Sequence, residues 1–313
     1  MVGTADPFLD LPVAINALYG DPFIERQFPD TLERLKKLVS SGHRGPIGLY
    51  SHVPPNDKIL SSLSNLTNLI DLHVMLSVTG LEEGGYSVEE AFQGYLAACS
   101  RLPSVILYIR PLVPGKNDSL NQIEEFCEIA ASGHGIIATR PFYHPKTKKE
   151  LDIAQQLKQF HRIAEVKGAQ VFNRSACAIS YVRGRPCSFH QTGKAKNIDL
   201  LKSFGISVTE HDSSISVDIE TGHMLSKGDV NFLRFVSGTA VEARCSVYEN
   251  TLCTLFAEGD FRLDCTSTWF NWGRQIYCDV DCYYCVARGH KTHSHFFELG
   301  CLPSELNQRR LSL

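Results

Sequence analysis

The sequence predicts an α/β chain organised on a parallel sheet or barrel, and three observations carry that prediction. Short apolar runs rich in β-branched residues recur at intervals of roughly thirty residues, about the length of one strand-plus-helix unit. Between them lie amphipathic stretches that open on helix-capping residues. After about residue 205 the texture changes to alternating apolar and polar segments divided by Gly and Asp, the pattern of antiparallel strands.

The runs are Pro12–Asn16, Pro46–Tyr50, Leu72–Ser77, Val105–Arg110 and Ile136–Arg140. Continuous apolar runs of this length are what strands buried on both faces look like. Asp30 with Glu33 predicts a helix start, with Leu32, Leu35, Leu38 and Val39 on its inner face and Gly42 as its stop. Ser87 with Glu90, Ser119 with Gln122, and Thr147 with Glu150 have capping-box spacing, in which two side chains satisfy orphan backbone donors reciprocally. Strand, helix, strand in repetition requires right-handed crossovers and therefore parallel pairing. Segments such as ISVTEHDSSISVDI and ARCSVYENTLCTLF predict an antiparallel β region between Ile206 and Cys265. Arg274–Tyr277 is read as a further strand.

Composition limits the function classes. With 313 residues, 43% apolar and 21% charged, the chain has enough material for a substantial core. A formal net charge of -3 supplies no basic footprint, so general nucleic-acid binding is not expected. The N-terminal Met-Val-Gly-Thr-Ala-Asp-Pro has no signal pattern, and no apolar run approaches a membrane span. A cytoplasmic location with no membrane partner is the expectation, and thiols stay reduced there. Eleven cysteines in that setting point to metal binding.

In parallel α/β folds the site lies beyond the carboxyl ends of the strands, where the loops converge. The first run leads to Asn16 and then Tyr19-Gly20-Asp21-Pro22, the second to Ser51-His52, and the third to Ser77-Val78-Thr79-Gly80. The fourth and fifth end in Arg110-Pro111 and Arg140-Pro141. Polar residues also mark where any strand stops, but arginines directly after buried runs suit a carboxylate by bidentate bonding. Near the other end of the chain, Cys278, Cys282 and Cys285 stand as C-D-V-D-C-Y-Y-C. Three thiolates so spaced can hold three irons of a [4Fe–4S] cluster and leave the fourth iron open.

This C-x3-C-x2-C run, with aromatic Tyr284 before its last cysteine, resembles the signature of the radical S-adenosylmethionine (radical SAM) superfamily. Tyr19-Gly20-Asp21-Pro22 resembles that family's Gly-Gly-Glu stretch, with Tyr19 in place of one glycine and Asp21 in place of the glutamate. In the family the cysteine motif comes early, whereas here it comes late. The resemblance therefore implies a partial (β/α)6 TIM-like barrel, circularly permuted, with a small β-rich subdomain. Residues 1–205 would form barrel strands 2–6 with their helices, 206–266 a β-rich subdomain or extension, and 267–313 the first strand, cluster loop and first helix. It further implies a [4Fe–4S] cluster on Cys278, Cys282 and Cys285, and SAM held by Gly20, Asp21, Ser77, Thr79, Arg110 and Tyr284. Reductive cleavage of SAM would yield a 5′-deoxyadenosyl radical that removes hydrogen from a small-molecule or peptide substrate. The partner would be a one-electron donor such as flavodoxin or ferredoxin.

Two other readings compete. Cys282, Cys285, His290 and His293 supply two thiolates and two imidazoles for a tetrahedral zinc site, in which case the protein is a structural or interaction module. Asp21, His52 and Arg110 could instead serve acid–base catalysis in a TIM-like hydrolase or lyase, though their spacing fixes no pair.

Overall fold

Each of the five apolar runs becomes a strand of one parallel sheet in the computed structural model. The structure describes residues 9, 13–15, 21–81, 86–144, 147, 149–184, 207–210, 215–220, 252–256 and 270–271. In chain order the first elements are β1 (Val13–Ile15), α1 (Phe28–Ser40), β2 (Ile47–Ser51), α2 (Asp57–Ser64), β3 (Leu72–Ser77) and α3 (Val88–Cys99). They continue with β4 (Val105–Leu112), α4 (Leu120–Ser132), β5 (Ile136–Pro141), the short β6 (Tyr143–His144) and β7 (Lys149–Glu150), and α5 (Ala154–Lys167). β8 (Gln170–Phe172), α6 (Ser175–Val182), β9 (Ser207–Glu210), β10 (Ile215–Glu220), β11 (Leu252–Phe256) and β12 (Phe270–Asn271) complete the described set.

The main sheet has the order β12-β1-β2-β3-β4-β5-β8. Every pairing in it is parallel, with Val13 opposite Ile47, Leu49 opposite Val74, Leu76 opposite Leu107, and Ile137 opposite Val171. From β1 to β8 the strands are laid down in sequence order, so successive right-handed crossovers carry their helices to the same face. The core composition agrees. Ile47, Leu49, Val74, Leu76, Leu107 and Ile137 share one cluster with Leu35 of α1, Leu60 of α2, Phe92 of α3, Phe126 of α4 and Phe160 of α5. A doubly wound sheet would divide those helices between its two faces. The fold is thus α/β, with the one-sided helix layer of a partial TIM-like barrel.

The opposite face of the same strands has its own core of Ala14, Tyr50, Met75, Ile106, Tyr108, Ile136 and Ala138. Ala178 and Ile179 of α6 pack into it, so α6 lies on the inner face while α1–α5 lie on the outer one. It is tied at both ends: the Tyr50 hydroxyl donates to Ser175 Oγ at 3.0 Å, and Arg183 Nε meets Asp71 Oδ2 at 2.6 Å. Asp71 in turn lies 2.9 Å from His73 Nε2, and His73 Nδ1 lies 2.7 Å from Ser104 Oγ. This chain of polar groups closes the amino-terminal end of the sheet.

Local signals are realised where nothing distant competes. Ser87 with Glu90 and Ser119 with Gln122 form complete capping boxes. Gly42, at φ +71°, ends α1: its N–H donates to Val39 O and that of His43 to Leu38 O, the double bond pattern that closes a helix on a left-handed residue. Two expected starts are corrected. α1 begins at Phe28, because Pro29 suits the first turn, and Asp30 instead pairs with Arg34 at 2.7 Å. Thr147 with Glu150 opens no helix. Glu150 belongs to β7, paired antiparallel with β6, and α5 starts only at Ala154, whose N–H donates to Asp152.

The alternating region forms an antiparallel sheet of order β11-β10-β9, with Ser216 opposite both Thr209 and Phe256. Arg274–Tyr277, read as a strand from sequence, lies outside the described residues; the strand found near it is β12, parallel to β1 with Val13 opposite Phe270 and Ala14 opposite Asn271.

Candidate functional site

The carboxyl ends of β1–β5 carry the polar groups that the sequence singled out. At the first mouth Asp21 is 0% exposed. Its Oδ1 accepts from the Phe23 N–H at 3.0 Å and from the Ser51 hydroxyl at 2.5 Å, and its Oδ2 accepts from the His52 N–H at 2.6 Å. The Ser51 hydroxyl also accepts from the Val53 N–H at 3.0 Å. One carboxylate thereby joins the loop after β1 to the end of β2. Burial pushes the Asp21 carboxyl above its ordinary range, against the opposing pull of His52 and the three hydrogen bonds. Asp21 and His52 do meet, but through the backbone of His52 and through charge.

At the next two mouths, Ser77 donates to the carbonyl of Arg110 at 3.3 Å, so the ends of β3 and β4 are fastened together. Thr79 is buried and its hydroxyl accepts from the Leu81 N–H at 3.2 Å. Between them the chain turns at Gly80, φ +66°, where an added Cβ would stand 3.1 Å from Cζ of Phe126. Any other residue there would face both backbone strain and a crowded ring. Asn117, fully buried, was not picked out from the sequence. Its Nδ2 donates to Thr79 O at 2.7 Å and Pro111 O at 2.9 Å, while its Oδ1 accepts from the Val113 N–H at 2.8 Å. A lone Asn in a loop carries no sequence signal of that role.

Alternation along the strands sends Tyr50, Ser77, Tyr108, Arg110 and Arg140 to the inner face. Tyr50 and Tyr108 meet edge to face with centroids 5.7 Å apart. Burial first, then Tyr108, push the Tyr50 phenol up, and the charges of Arg110 and Arg140 reach it in the opposite sense. Tyr50 is therefore a hydrogen-bond donor at any physiological pH. Arg140 Nε and Arg174 Nη2 each lie 3.1 Å from a different oxygen of Glu150. Glu150 and Arg174 were also missed, because each gains its meaning only from neighbours distant in sequence.

Gly20, Tyr284, Cys278, Cys282, Cys285, His290 and His293 lie outside the described residues. Among the described residues no group of three or more His, Cys, Asp or Glu side chains is arranged to hold a metal ion. Among them, too, no helix is long and apolar enough to cross a membrane.

No family model matches the chain, and no curated protein matches it. Among solved structures, a domain of pyruvate-formate lyase-activating enzyme from Bacteroides vulgatus ATCC 8482 is similar over 51% of this chain and 97% of its own length. The sequence identity is 13% and the TM-score 0.38, a level of likeness that bears on neither family nor site.

Proposed function

We propose that this chain is a radical SAM enzyme, circularly permuted so that the first strand and cluster loop of the barrel follow the other strands in sequence. One observation carries the reading. β12 runs parallel beside β1, so the chain leaves β12 toward the same end of the sheet as Asp21, Ser77 and Arg110, and the C-x3-C-x2-C run follows in sequence.

The donor set fits the group. Cys278, Cys282 and Cys285 would hold a [4Fe–4S] cluster through three thiolates, and the polar mouths of β1, β3 and β4 would hold SAM through Gly20, Asp21, Ser77, Thr79 and Arg110, with Tyr284 beside the adenine. A cluster held by those thiolates would supply the single electron for reductive cleavage of SAM, and the 5′-deoxyadenosyl radical so released would remove hydrogen from the substrate. The remaining work belongs to the chain. Arg110 offers a guanidinium to the methionine carboxylate, a charge-assisted contact. Ser77, bonded to the Arg110 carbonyl, holds that strand end in place. Asp21 acts chiefly by organising the mouth, since both of its oxygens already accept from protein donors. The substrate is a small molecule or peptide, the electron donor a flavodoxin or ferredoxin, and the location cytoplasmic; neither a membrane nor general nucleic-acid binding is involved.

The test is anaerobic reconstitution with iron and sulfide, followed by metal analysis and an assay for 5′-deoxyadenosine. The expected result is one cluster per chain, with charge-transfer absorption at roughly 400 nm that disappears when Cys278, Cys282 and Cys285 are all replaced by Ala. A full cluster in that triple variant overturns the assignment. So does stoichiometric zinc bound through Cys282, Cys285, His290 and His293.

A further inference from the structure

We infer that Arg140 and Arg174, bridged by Glu150, form a second oxyanion site at the mouth of β5 and β8, which takes a carboxylate or phosphate group of the substrate. The inference rests on the proposed function for assigning that anion to a substrate; the site itself stands on separate geometry. Arg140 is the penultimate residue of β5, and Arg174 lies two residues beyond the end of β8, immediately before α6. Those strands are paired with Ala138 opposite Phe172, so the two guanidinium groups start from adjacent, rigid positions. Arg174 is further fixed by donation from Nη1 to Asn173 O at 3.0 Å.

Both guanidiniums aim at one carboxylate, one on each oxygen. Two planar cations on either side of one anion is a geometry that receives any oxyanion, because carboxylate and phosphate present the same paired acceptors. The present occupant is carried on a small appendage. Glu150 sits on the two-residue strand β7, which among the described residues pairs only with the two-residue β6, outside the main sheet. The three side chains are between 20% and 27% exposed, shielded enough to strengthen the attraction and open enough for a ligand to reach. Directly after Arg174 comes the start of α6, which has no side-chain cap, so its first-turn N–H groups add positive potential to the same place. The Tyr50 hydroxyl bonded to Ser175 marks the inner side of the site, where the charges of Arg110 and Arg140 also reach. A substrate anion would join Glu150 or replace it, and would thereby be anchored at the edge of the main sheet opposite β12. A substrate fixed at that point leaves its far end directed toward the centre of the mouth.

The full chain, isolated anaerobically, is titrated calorimetrically with inorganic phosphate and separately with succinate. Saturable one-to-one binding of at least one of them is expected, and the stronger ligand identifies the preferred oxyanion. Arg174→Ala should weaken it about tenfold or more, the loss expected of a charge-assisted hydrogen bond. Glu150→Gln should tighten it several-fold, since the amide keeps the shape but no longer competes as an anion. Arg101→Ala, which removes a surface partner of Asp57, should leave it unchanged. If neither anion binds saturably, if Glu150→Gln binds as the parent does, or if Arg101→Ala loses as much as Arg174→Ala, the site is refuted. Should Arg174→Ala fail to fold, the response to Glu150→Gln decides. Iron and sulfide measured on the same samples separate the two proposals: Arg174-dependent binding without a cluster supports the anion site and refutes only the enzyme assignment, whereas a cluster with Arg174-independent binding refutes the anion site alone.

Discussion

The two faces of the central sheet are built from the same strands and do different things. Outward, Leu72, Val74 and Leu76 of β3 enter one apolar core with residues of α1–α5. Inward, the alternate positions of that strand are His73, Met75 and Ser77, and the neighbouring strands add Tyr50, Tyr108, Arg110 and Arg140. The outer face is stabilised by area removed from water, which is non-directional and tolerant of detail. The inner face adds to its smaller apolar core directed contacts, each needing a specific partner: Ser77 on the Arg110 carbonyl, His73 between Asp71 and Ser104, Tyr50 on Ser175. Chemistry and stability are thus separated within single strands by the period of two.

That separation can be broken, and the largest effect should come from the outer face. Phe126 is 1% exposed, stacks on Phe160 with centroids 6.3 Å apart and meets Phe92 edge-on at 6.2 Å. Phe126→Ala should lose about 3–5 kcal/mol in denaturant unfolding, through lost transfer energy and a cavity. The fraction still folded should bind SAM as the parent does. Weakened binding in that fraction would mean that the two faces are coupled through the turn at Gly80.

Asp21 belongs to both functions and should fall next. Asp21→Ala strands the N–H groups of Phe23 and His52 and leaves the Ser51 hydroxyl only its contacts with Val53, at a cost on the order of 3 kcal/mol. SAM affinity should drop on the order of tenfold with it, because the β1 and β2 mouths lose their tie. An Asp21→Ala protein as stable as the parent would show that the carboxylate is not the organiser of that loop.

Arg110→Ala is the cleaner probe of the inner face. It should weaken SAM binding by about 1.5–3 kcal/mol, tenfold or more, and cost less in unfolding than Asp21→Ala does. Equal loss of stability and binding would place Arg110 with the structural residues.

The smallest effect is in acid, and two carboxylates should show opposite signs. Burial raises the Asp71 carboxyl, but the hydrogen bond and charge of His73 and the charge of Arg183 outweigh it and leave the value below the ordinary 3.8. Its contribution is full above that value and is lost as the pH falls through the lower, folded-state value. Asp21 is raised, so the folded chain holds its proton more tightly and stability declines as the pH rises from 3.8 through the folded-state value. Urea unfolding at a series of pH values should show Asp71→Asn less stable than the parent at neutral pH and converging with it in acid. A constant gap across the series would remove His73 and Arg183 from the account.

What could be read from sequence followed the range of the forces involved. The five apolar runs became strands because burial on both faces leaves a continuous pattern. The boxes at Ser87 and Ser119 became caps because donor and acceptor lie three residues apart. The box at Thr147 did not, since the Glu150 carboxylate found two guanidiniums from β5 and β8. The short β8 and the eight-residue α6, whose two serines mark no helical stripe, gave no period by which to assign them.

By itself the sequence determined the order of the first five parallel strands, the caps at Ser87 and Ser119, the polar residue at each of those strand ends and the spacing of Cys278, Cys282 and Cys285, because these depend on near neighbours along the chain. Only the tertiary structure decided that the helices share one face, that α6 enters the other, that β12 returns beside β1, and that Arg140 and Arg174 close on Glu150. Those outcomes depend on sheet register and packing between residues far apart in sequence, such as Tyr50 and Ser175, and no local pattern encodes such a meeting.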